Sequence, residues 1–248
     1  MFPEEVLEEN EQDDVVPEVT ESICKPGDVW TLGNHRIMCG DSTNVDDVEK
    51  LMDGKKADMV FTDPPYGIGF EYNEHEDVSG DEYLSFCDEW FNSIKTIQPD
   101  YISISTGWKY QKYWWGKDPR DVMYWLCRNK RTGGTAFHFR KIEPIFFWGK
   151  PFKKYDFDFL EQTTEIEKDL KGKHSCPKPV SLIVSLIEKG VDYGKLVVDI
   201  FLGSGTTLIA CEKTKRICYG MEIDPAYCDV IIKRYEEYTN NKAVLVRG

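Results

Sequence analysis

The chain has 248 residues, of which 41% are apolar and 13% aromatic, enough to build one sizeable hydrophobic core. It has no run of 18 apolar residues and no signal-peptide pattern, so we expect a protein without a transmembrane helix that stays in the cytoplasm. The eight cysteines are scattered without a C-x-x-C spacing and there are only four histidines, which predicts reduced thiols and no metal site.

The charge is distributed unevenly along the chain. The net charge is −13, and residues 1–21 contain nine Asp and Glu but no Lys or Arg, which predicts a disordered acidic tail or linker. Residues 108–154 carry twelve Lys and Arg against three Asp and Glu, together with five of the seven tryptophans. This composition is typical of a nucleic-acid contact surface, although a solvated lysine-rich face would look the same.

The predicted elements alternate between strands and helices from about Ile23 onwards. Residues 67–77 and 155–173 are predicted to be loops. In chain order, periodicity and turn residues predict strands at 29–32 and 36–39 around a Gly33-Asn34 turn, a helix at 45–52 capped by Asn44 or Thr43, a strand at 57–62, a helix from 79, a strand at 101–105, β-prone runs at 122–127 and 136–148, a helix at 178–191, a strand at 196–200, a helix at 206–214, a strand at 216–223, a helix at 225–238 and a short strand at 243–246. We therefore predict an α/β fold with a twisted, mostly parallel sheet, helices on both faces and one antiparallel strand.

The segment Asp63-Pro64-Pro65-Tyr66 directly follows the strand predicted at 57–62. Each proline fixes φ and lacks an N–H, so the pair ends the strand in a stiff turn. A carboxylate, the Pro64 carbonyl and the Tyr66 ring would then meet at the C-terminal end of a strand, where open α/β sheets bind ligands. Two acceptors suit an exocyclic amino group, and the ring suits stacking on a planar base. A plain turn after a strand could also have this sequence.

A second stretch with chemical significance is Asp199-Ile200-Phe201-Leu202-Gly203-Ser204-Gly205-Thr206-Thr207, between a strand and a helix. Its glycines allow a ligand to approach the backbone, and Glu222 ends the next strand 17 residues after Gly205, near where a ribose-binding acid is expected. The spacing is not G-x-G-x-x-G and no lysine follows, which disfavours a dinucleotide site and a P-loop. The pattern predicts a nucleoside-binding β-α-β unit.

Together these motifs resemble those of the β-class DNA amino-methyltransferases, in which the catalytic half precedes the cofactor half. Asp63-Pro64-Pro65-Tyr66 matches the family's catalytic motif, and the glycine turn with Glu222 matches its S-adenosylmethionine motif. Cys39-Gly40-Asp41-Ser42 matches the segment before the catalytic strand. His174-Ser175-Cys176-Pro177-Lys178-Pro179 resembles the H-P-T-x-K-P segment, with Ser175 and Cys176 in place of Pro and Thr. The resemblance runs from about Gly27 to Tyr238 and implies a Rossmann-like methyltransferase fold.

The resemblance implies a role for each motif residue. Asp63 and the Pro64 carbonyl, with Pro65 in the same turn, would hold the amino group of a flipped-out base stacked on Tyr66, and the amino nitrogen would attack the sulfonium methyl group in line. Glu222 would bind the ribose hydroxyls and Lys178 would lie near the methionine carboxylate. The implied cofactor-binding residues are Asp41, Ser42, Asp63, Lys178, Asp199, Phe201, Gly203, Ser204, Gly205, Thr206, Thr207, Glu222 and Ile223.

Adenine N6 is the target that the resemblance implies, because D-P-P-Y usually accompanies adenine in this family and S-P-P-Y accompanies cytosine N4. Cytosine N4 stays open, since both bases present the same N–C=N edge, and so does an RNA or protein-amide substrate. The intact Asp63 and Tyr66 argue against a catalytically silent DNA-binding module. The glycine spacing argues against a dehydrogenase.

The basic segment lies where β-class enzymes carry their target-recognition region, which we place at about 108–173 within a methyltransferase domain spanning 22–248. Trp114, Trp115 and Trp148 fit either the core or the DNA-facing surface, and residues 1–21 fit a linker better than a DNA mimic. The resemblance also implies double-stranded DNA as the partner, a homodimer, and a prokaryotic or phage-encoded enzyme of the restriction-modification class. Candidates for phosphate or base contacts are Lys109, Lys112, Arg128, Lys130, Arg131 and Arg140.

Overall fold

The structure is a computed structural model that describes residues 12–19, 22–68, 78–127, 133–134, 139–152, 159–162 and 178–246. Its helices are α1 (Val45–Met52), α2 (Asp81–Thr96), α3 (Gln111–Gly116), α4 (Val180–Gly190), α5 (Thr206–Lys213) and α6 (Pro225–Thr239). Its strands are β1 (Val29–Leu32), β2 (His35–Cys39), β3 (Met59–Thr62), β4 (Tyr101–Ser105), β5 (Asp121–Cys127), β6 (Gly133–Gly134), β7 (Phe139–Arg140), β8 (Ile142–Gly149), β9 (Phe159–Gln162), β10 (Leu196–Asp199), β11 (Ile217–Glu222) and β12 (Val244–Leu245).

Ten of the strands form one sheet in the order β12-β1-β2-β11-β10-β3-β4-β8-β5-β9, and β6 pairs separately with β7. The five strands β2, β11, β10, β3 and β4 at its centre are parallel, which confirms the predicted α/β sheet. Two described strands run against them, β1 and β8, where the sequence predicted one. The two-residue turn at Gly33-Asn34 reverses β1, with Gly33 at φ 60°, and β8 inserts between β4 and β5 and opposes both.

The sheet reverses its winding between β3 and β10. The connection through α2 carries the chain from β3 outward to β4, whereas the connection through α5 carries it from β10 in the opposite direction, to β11. Because parallel crossovers are right-handed, these two helices lie on opposite faces and a crevice opens beyond the carboxyl ends of β3 and β10. Both motifs singled out in the sequence follow these two strands.

Two hydrophobic clusters cover the two faces of the sheet. Apolar residues of α4, α5 and α6, such as Leu186 and Ile232, pack on one face, and those of α1, α2 and α3, such as Leu51 and Trp90, pack on the other. Neighbouring strand residues alternate between the clusters, as expected for strands buried on both sides. Helices therefore lie on both faces, as predicted.

Local sequence explains where several helices begin. Asn44 caps α1, its side chain accepting from the N–H of Asp46, and Asp224 caps α6 by accepting from the N–H of Ala226 at 2.8 Å. Pro225 at the first position of α6 has no N–H to leave unpaired. None of the helices in the described ranges is long and apolar enough to cross a membrane.

Part of the acidic N-terminal segment makes contacts that its composition does not predict. Residues 12–19 lie against the helical face made by α4, α5 and α6. Asp13 is buried, pairs with Lys213 and accepts from the hydroxyl of Tyr238, and the Asp14 carboxylate accepts from the N–H of Val180 at 2.8 Å. These contacts oppose the entropy that favours disorder in an acidic segment. Residues 1–11, 20 and 21 lie outside the described residues.

Much of the basic segment belongs to the main sheet. β5 and β8 continue the sheet beyond β4, and β9, within the predicted loop 155–173, adds to its edge because Phe159 and Leu160 pair beside Tyr124 and Trp125. Trp114 is fully buried, Trp148 packs against the same cluster, and Trp115 is 50% exposed. Residues 69–77 of the predicted loop at 67–77 lie outside the described residues.

Candidate active site

The tetrapeptide after β3 brings its polar groups into the crevice. The Tyr66 hydroxyl donates to Asp63 Oδ1 at 2.7 Å, and Lys178 Nζ donates to Asp63 Oδ2 at 2.8 Å. The Pro65 carbonyl accepts from the hydroxyl of Tyr83 at 2.8 Å, whereas within the described part of the chain the Pro64 carbonyl accepts no hydrogen bond. A free carbonyl therefore adjoins the Asp63 carboxylate, as the two prolines predicted.

The Tyr66 ring is held by a glycine. A Cβ added to Gly107 would lie 2.9 Å from Cδ2 of Tyr66, closer than real Cβ contacts come, so a larger residue there would displace the ring. The Tyr66 hydroxyl also lies 3.3 Å from the Ser105 Oγ at the end of β4. Gly107 and Ser105 were not singled out in the sequence.

Lys178 lies beside the tetrapeptide. Its ammonium contacts Asp63, the Tyr66 hydroxyl at 2.8 Å and Glu143 Oε2 at 3.3 Å, so its described ion pairs are with carboxylates around the tetrapeptide, whereas the resemblance implied a place near the methionine carboxylate. Burial alone would lower the pKa of Lys178, but the carboxylates of Asp63 and Glu143 outweigh burial and raise it well above its usual value. Burial, with the charges of Asp63 and Glu143, also raises the pKa of Tyr66. Lys178 is therefore a cation and Tyr66 a neutral phenol at ordinary pH.

Glu143 is a site residue that sequence reasoning missed. It lies in β8 with its side chain buried, and its Oε2 is 3.2 Å from the Tyr66 hydroxyl. The available signal was a single carboxylate inside the apolar run Ile142-Glu143-Pro144-Ile145-Phe146-Phe147, since Glu is almost never buried without a partner.

The glycine turn after β10 is bonded to the end of β11. Gly203 and Gly205 have φ values of 54° and 86°, a left-handed conformation that favours glycine. The N–H of Gly203 donates to Glu222 Oε2 at 2.8 Å, and the N–H of Asp224 donates to Oε1 at 3.0 Å. Burial raises the pKa of Glu222 to about 7. Ile223, next in the chain, is 43% exposed.

Asp199 links the strand before the tetrapeptide to the glycine turn. Its buried carboxylate accepts from Thr62 Oγ1 at 2.8 Å, from Thr207 Oγ1 at 2.6 Å and from the N–H of Phe201 at 3.1 Å. Burial raises the pKa of Asp199 to about 6. Because Asp199 is buried and accepts from three protein donors, whereas Glu222 is only partly buried and accepts from two, we infer that Asp199 sets the shape of the turn.

The remaining cofactor candidates surround the same turn. The Asp41 carboxylate accepts from the N–H and hydroxyl of Thr43, and the N–H of the preceding Gly40 donates to the Glu222 carbonyl at 3.0 Å, which places Asp41 and Ser42 beside β11. Phe201 packs edge-on against Trp90 with ring centroids 5.4 Å apart.

Arg234 supports the turn from α6 and was missed in the sequence. One of its terminal nitrogens donates to the Ser204 carbonyl at 2.8 Å and lies 3.5 Å from Thr206 Oγ1, and the other donates to the Asp13 carbonyl at 2.7 Å. Its side chain is buried, whereas the sequence alone predicts that an arginine near the end of a surface helix is exposed to solvent.

The candidate DNA contacts are only partly visible. Lys112 is exposed at the start of α3, while Lys109 donates to the Gly67 carbonyl and lies over the Tyr110 ring. Arg128, Lys130 and Arg131 lie outside the described residues, as do Pro177 and the residues from His174 to Cys176. Arg140 is described only as backbone, in β7.

The sequence profile of the DNA methylase family matches residues 105–234, slightly more than half of the chain. The chain belongs to the DNA methylase family. The matched stretch covers Glu143, Lys178, the glycine turn and Glu222, so the family relationship includes the cofactor half and the groups that face Asp63.

Individual relatives agree with the family assignment. The methylase is 24% identical over 242 residues to the Type II methyltransferase M.HpaI of Haemophilus parainfluenzae, an alignment that covers 84% of this chain and 76% of the relative. Its fold is similar to the crystal structure of an M1.HpyAVI–SAM complex, with a TM-score of 0.59 and 20% identity over 80% of this chain and 97% of the other. It is similarly close to the cytosine-N4-specific PvuII DNA methyltransferase, with a TM-score of 0.62 and 17% identity over 89% and 94% of the two chains. These structures share the methyltransferase fold that the motifs implied.

Proposed function

We propose that this DNA methylase transfers a methyl group from S-adenosylmethionine to the N6 amino group of an adenine flipped out of duplex DNA. The observation that carries the proposal is a turn with two adjacent acceptors, the Asp63 carboxylate and the Pro64 carbonyl, which accepts no hydrogen bond within the described residues, beside the glycine turn and Glu222. Two acceptors side by side match the two protons of an exocyclic amino group.

The residues around the glycine turn suit a nucleoside with a charged amino-acid tail. Glu222 offers a carboxylate to the ribose hydroxyls, and exposed Ile223 offers an apolar surface to the adenine ring. Helix α5 begins directly after Gly205, and the unpaired N–H groups of its first turn favour a carboxylate. S-adenosylmethionine supplies an electrophilic methyl group when bound.

Asp63 and Pro64 activate the base in this proposal. The lone pair of an adenine amino group is delocalised into the ring, and hydrogen bonds from its two protons to Asp63 and to the Pro64 carbonyl draw the nitrogen towards tetrahedral geometry. The Tyr66 ring, fixed against Gly107, gives the base a surface on which to stack. Positioning and local charge supply the acceleration.

The remainder of 108–173 is the proposed DNA-recognition region, since β5 and β8 are committed to the sheet. We expect Arg128→Ala with Lys130→Ala to weaken DNA binding and to flatten its salt dependence, because each phosphate contact releases counterions. The matched control is Lys195→Ala with Lys242→Ala, two exposed lysines outside the region. A DNA affinity equal to the control's at every salt concentration would contradict the assignment.

Sedimentation of the free protein tests the implied homodimer.

The deciding experiment is transfer of a labelled methyl group from S-adenosylmethionine to unmethylated DNA, followed by nucleoside analysis. We expect N6-methyladenine with the wild type and with Asp46→Ala, an exposed carboxylate of α1, but none with Asp63→Ala. N4-methylcytosine as the product would show that the target base is cytosine and not adenine. Label appearing only in RNA or protein substrates would overturn the proposal.

A further inference from the structure

Glu143 gives the base pocket a second carboxylate. It stands in β8 directly opposite Trp125 of β5, and only 7% of its surface is exposed. Its Oε2 lies 3.3 Å from Lys178 Nζ and 3.2 Å from the Tyr66 hydroxyl. A buried carboxylate is costly unless it is paired, so the position calls for a functional account.

The donors around Asp63 are shared between the two carboxylates. Lys178 donates to Asp63 at 2.8 Å and the Tyr66 hydroxyl donates to Asp63 at 2.7 Å, so each Asp63 oxygen already has a protein donor. Glu143 is the more distant acceptor within reach of both donors. Lys178 is only 9% exposed and its ammonium needs a carboxylate partner in any state of the site.

This arrangement conflicts with the chemistry expected of Asp63. A carboxylate paired with an ammonium is a weaker acceptor for a substrate N–H than one that keeps its full charge, since the cation neutralises it. With Asp63 and Glu143 both ionised and Lys178 protonated, the cluster has one negative charge more than it has positive. Moving Lys178 towards Glu143 would place that surplus charge on Asp63.

We propose that Glu143 is a positioning residue that takes over Lys178 and the Tyr66 hydroxyl when the amino group of the target base binds Asp63. This inference rests on the proposed function of Asp63. Glu143 contacts neither the base nor the cofactor in this scheme and acts mainly through Lys178, with the Tyr66 hydroxyl as its second contact. The same role would serve adenine or cytosine, because both bring an amino group to Asp63.

The test is steady-state methyl transfer by Glu143→Gln, which keeps the shape of the side chain and removes its charge. We expect kcat to fall by ten-fold to a hundred-fold, while the KM for DNA and the affinity for cofactor stay within about three-fold of the wild type. Glu49→Gln, on the exposed side of α1, is the matched control and should keep wild-type values. Glu143→Asp should recover part of the lost kcat.

A second variant separates positioning from a general loss of structure. In a Lys178→Met background the cation that competes for Asp63 is absent, so Glu143→Gln should lower kcat by less than three-fold. An equal loss in both backgrounds, or wild-type kcat in Glu143→Gln, would overturn the inference. Absence of DNA methylation by the wild type would instead refute the proposed function, so the two failures are distinguishable.

Discussion

Thr62, the last residue of β3, donates a buried hydrogen bond to Asp199, the last residue of β10, with 2.8 Å between Thr62 Oγ1 and Asp199 Oδ1. The two residues are 137 positions apart in the chain, yet their strands are hydrogen-bonded neighbours in the sheet. Asp63 and the glycine turn follow these two residues directly. The bond therefore helps to fix the position of the tetrapeptide relative to the glycine turn.

Thr62→Val should lower the free energy of unfolding by about 2 kcal/mol, because it removes a buried hydrogen bond to a carboxylate and leaves that acceptor with fewer donors. Urea unfolding at pH 8, where Asp199 is ionised, measures the change. Thr31→Val is the matched control: its hydroxyl is exposed and donates at 3.3 Å to the Val244 carbonyl, so the loss should stay under about 0.5 kcal/mol. Equal losses in the two variants would contradict the proposed contribution of the Thr62–Asp199 bond to the free energy of unfolding.

The titration of Asp199 should make stability depend on pH. Burial raises the pKa of Asp199 from 3.8 to about 6, so between these values the folded protein holds a proton that the unfolded chain has released. The free energy of unfolding therefore falls as pH rises through this window, by up to about 3 kcal/mol from this group, and the contribution is constant above it.

Asp199→Asn removes this titration and serves as the comparison. Subtracting its unfolding free energy from that of the wild type at each pH cancels the groups that both proteins share. We expect the unfolding free energy of the wild type to fall relative to that of Asp199→Asn as pH rises from 4 to 6. Parallel curves across that range would show that Asp199 does not titrate there.

Cofactor binding should weaken as pH falls below 7. Burial raises the pKa of Glu222 to about 7, and its carboxylate form is the better acceptor for two ribose hydroxyls. The affinity for S-adenosylhomocysteine, measured by calorimetry, should be constant above pH 7 and fall by up to ten-fold per pH unit below it. Glu222→Gln should bind more weakly at pH 8 and lose the pH dependence. A wild-type affinity that is flat from pH 6 to 8 would contradict ionisation of Glu222 as a requirement.

Asp13→Ala should destabilise the protein by about 3 kcal/mol. The change removes a buried carboxylate from Lys213 and from the Tyr238 hydroxyl, and breaking a buried ion pair from one side is costly. Thermal or urea unfolding measures the loss. Val15→Ala, an exposed side chain in the same segment, should change stability by less than about 0.5 kcal/mol. Similar values for the two variants would mean that the segment does not contribute to stability through Asp13.

Sequence reasoning located both motifs and most of the strands and helices because each has a local signature, but it missed α3 and placed β9 in a loop. The prolines after β3, the glycines after β10 and the acid at the end of β11 mark the carboxyl edge of a parallel sheet without any knowledge of tertiary contacts. Glu143 was missed because its role depends on β8 lying beside β4, a pairing that the sequence does not reveal. The ion pairs of Lys178 with Asp63 and Glu143 were missed because the resemblance supplied a role near the cofactor but no geometry.

The contacts of residues 12–19 were missed for a similar reason. Its composition favours disorder, and the partners that order residues 12–19 come from helices about 165 to 225 positions later. A local pattern contains no information about contacts at that separation. The buried Arg234, which reaches both Asp13 and Ser204, was hidden by the same separation.

Those long separations constrain how the protein can fold during synthesis. Residues 12–19 leave the ribosome long before the residues that bind them. Those later partners are Val180 for Asp14, Lys233 for the Glu18 carbonyl, and Lys213, Arg234 and Tyr238 for Asp13. Until α6 has emerged, Arg234 cannot bridge this segment to the glycine turn. We therefore expect the glycine turn to gain its support from Arg234 only after α6 has left the ribosome.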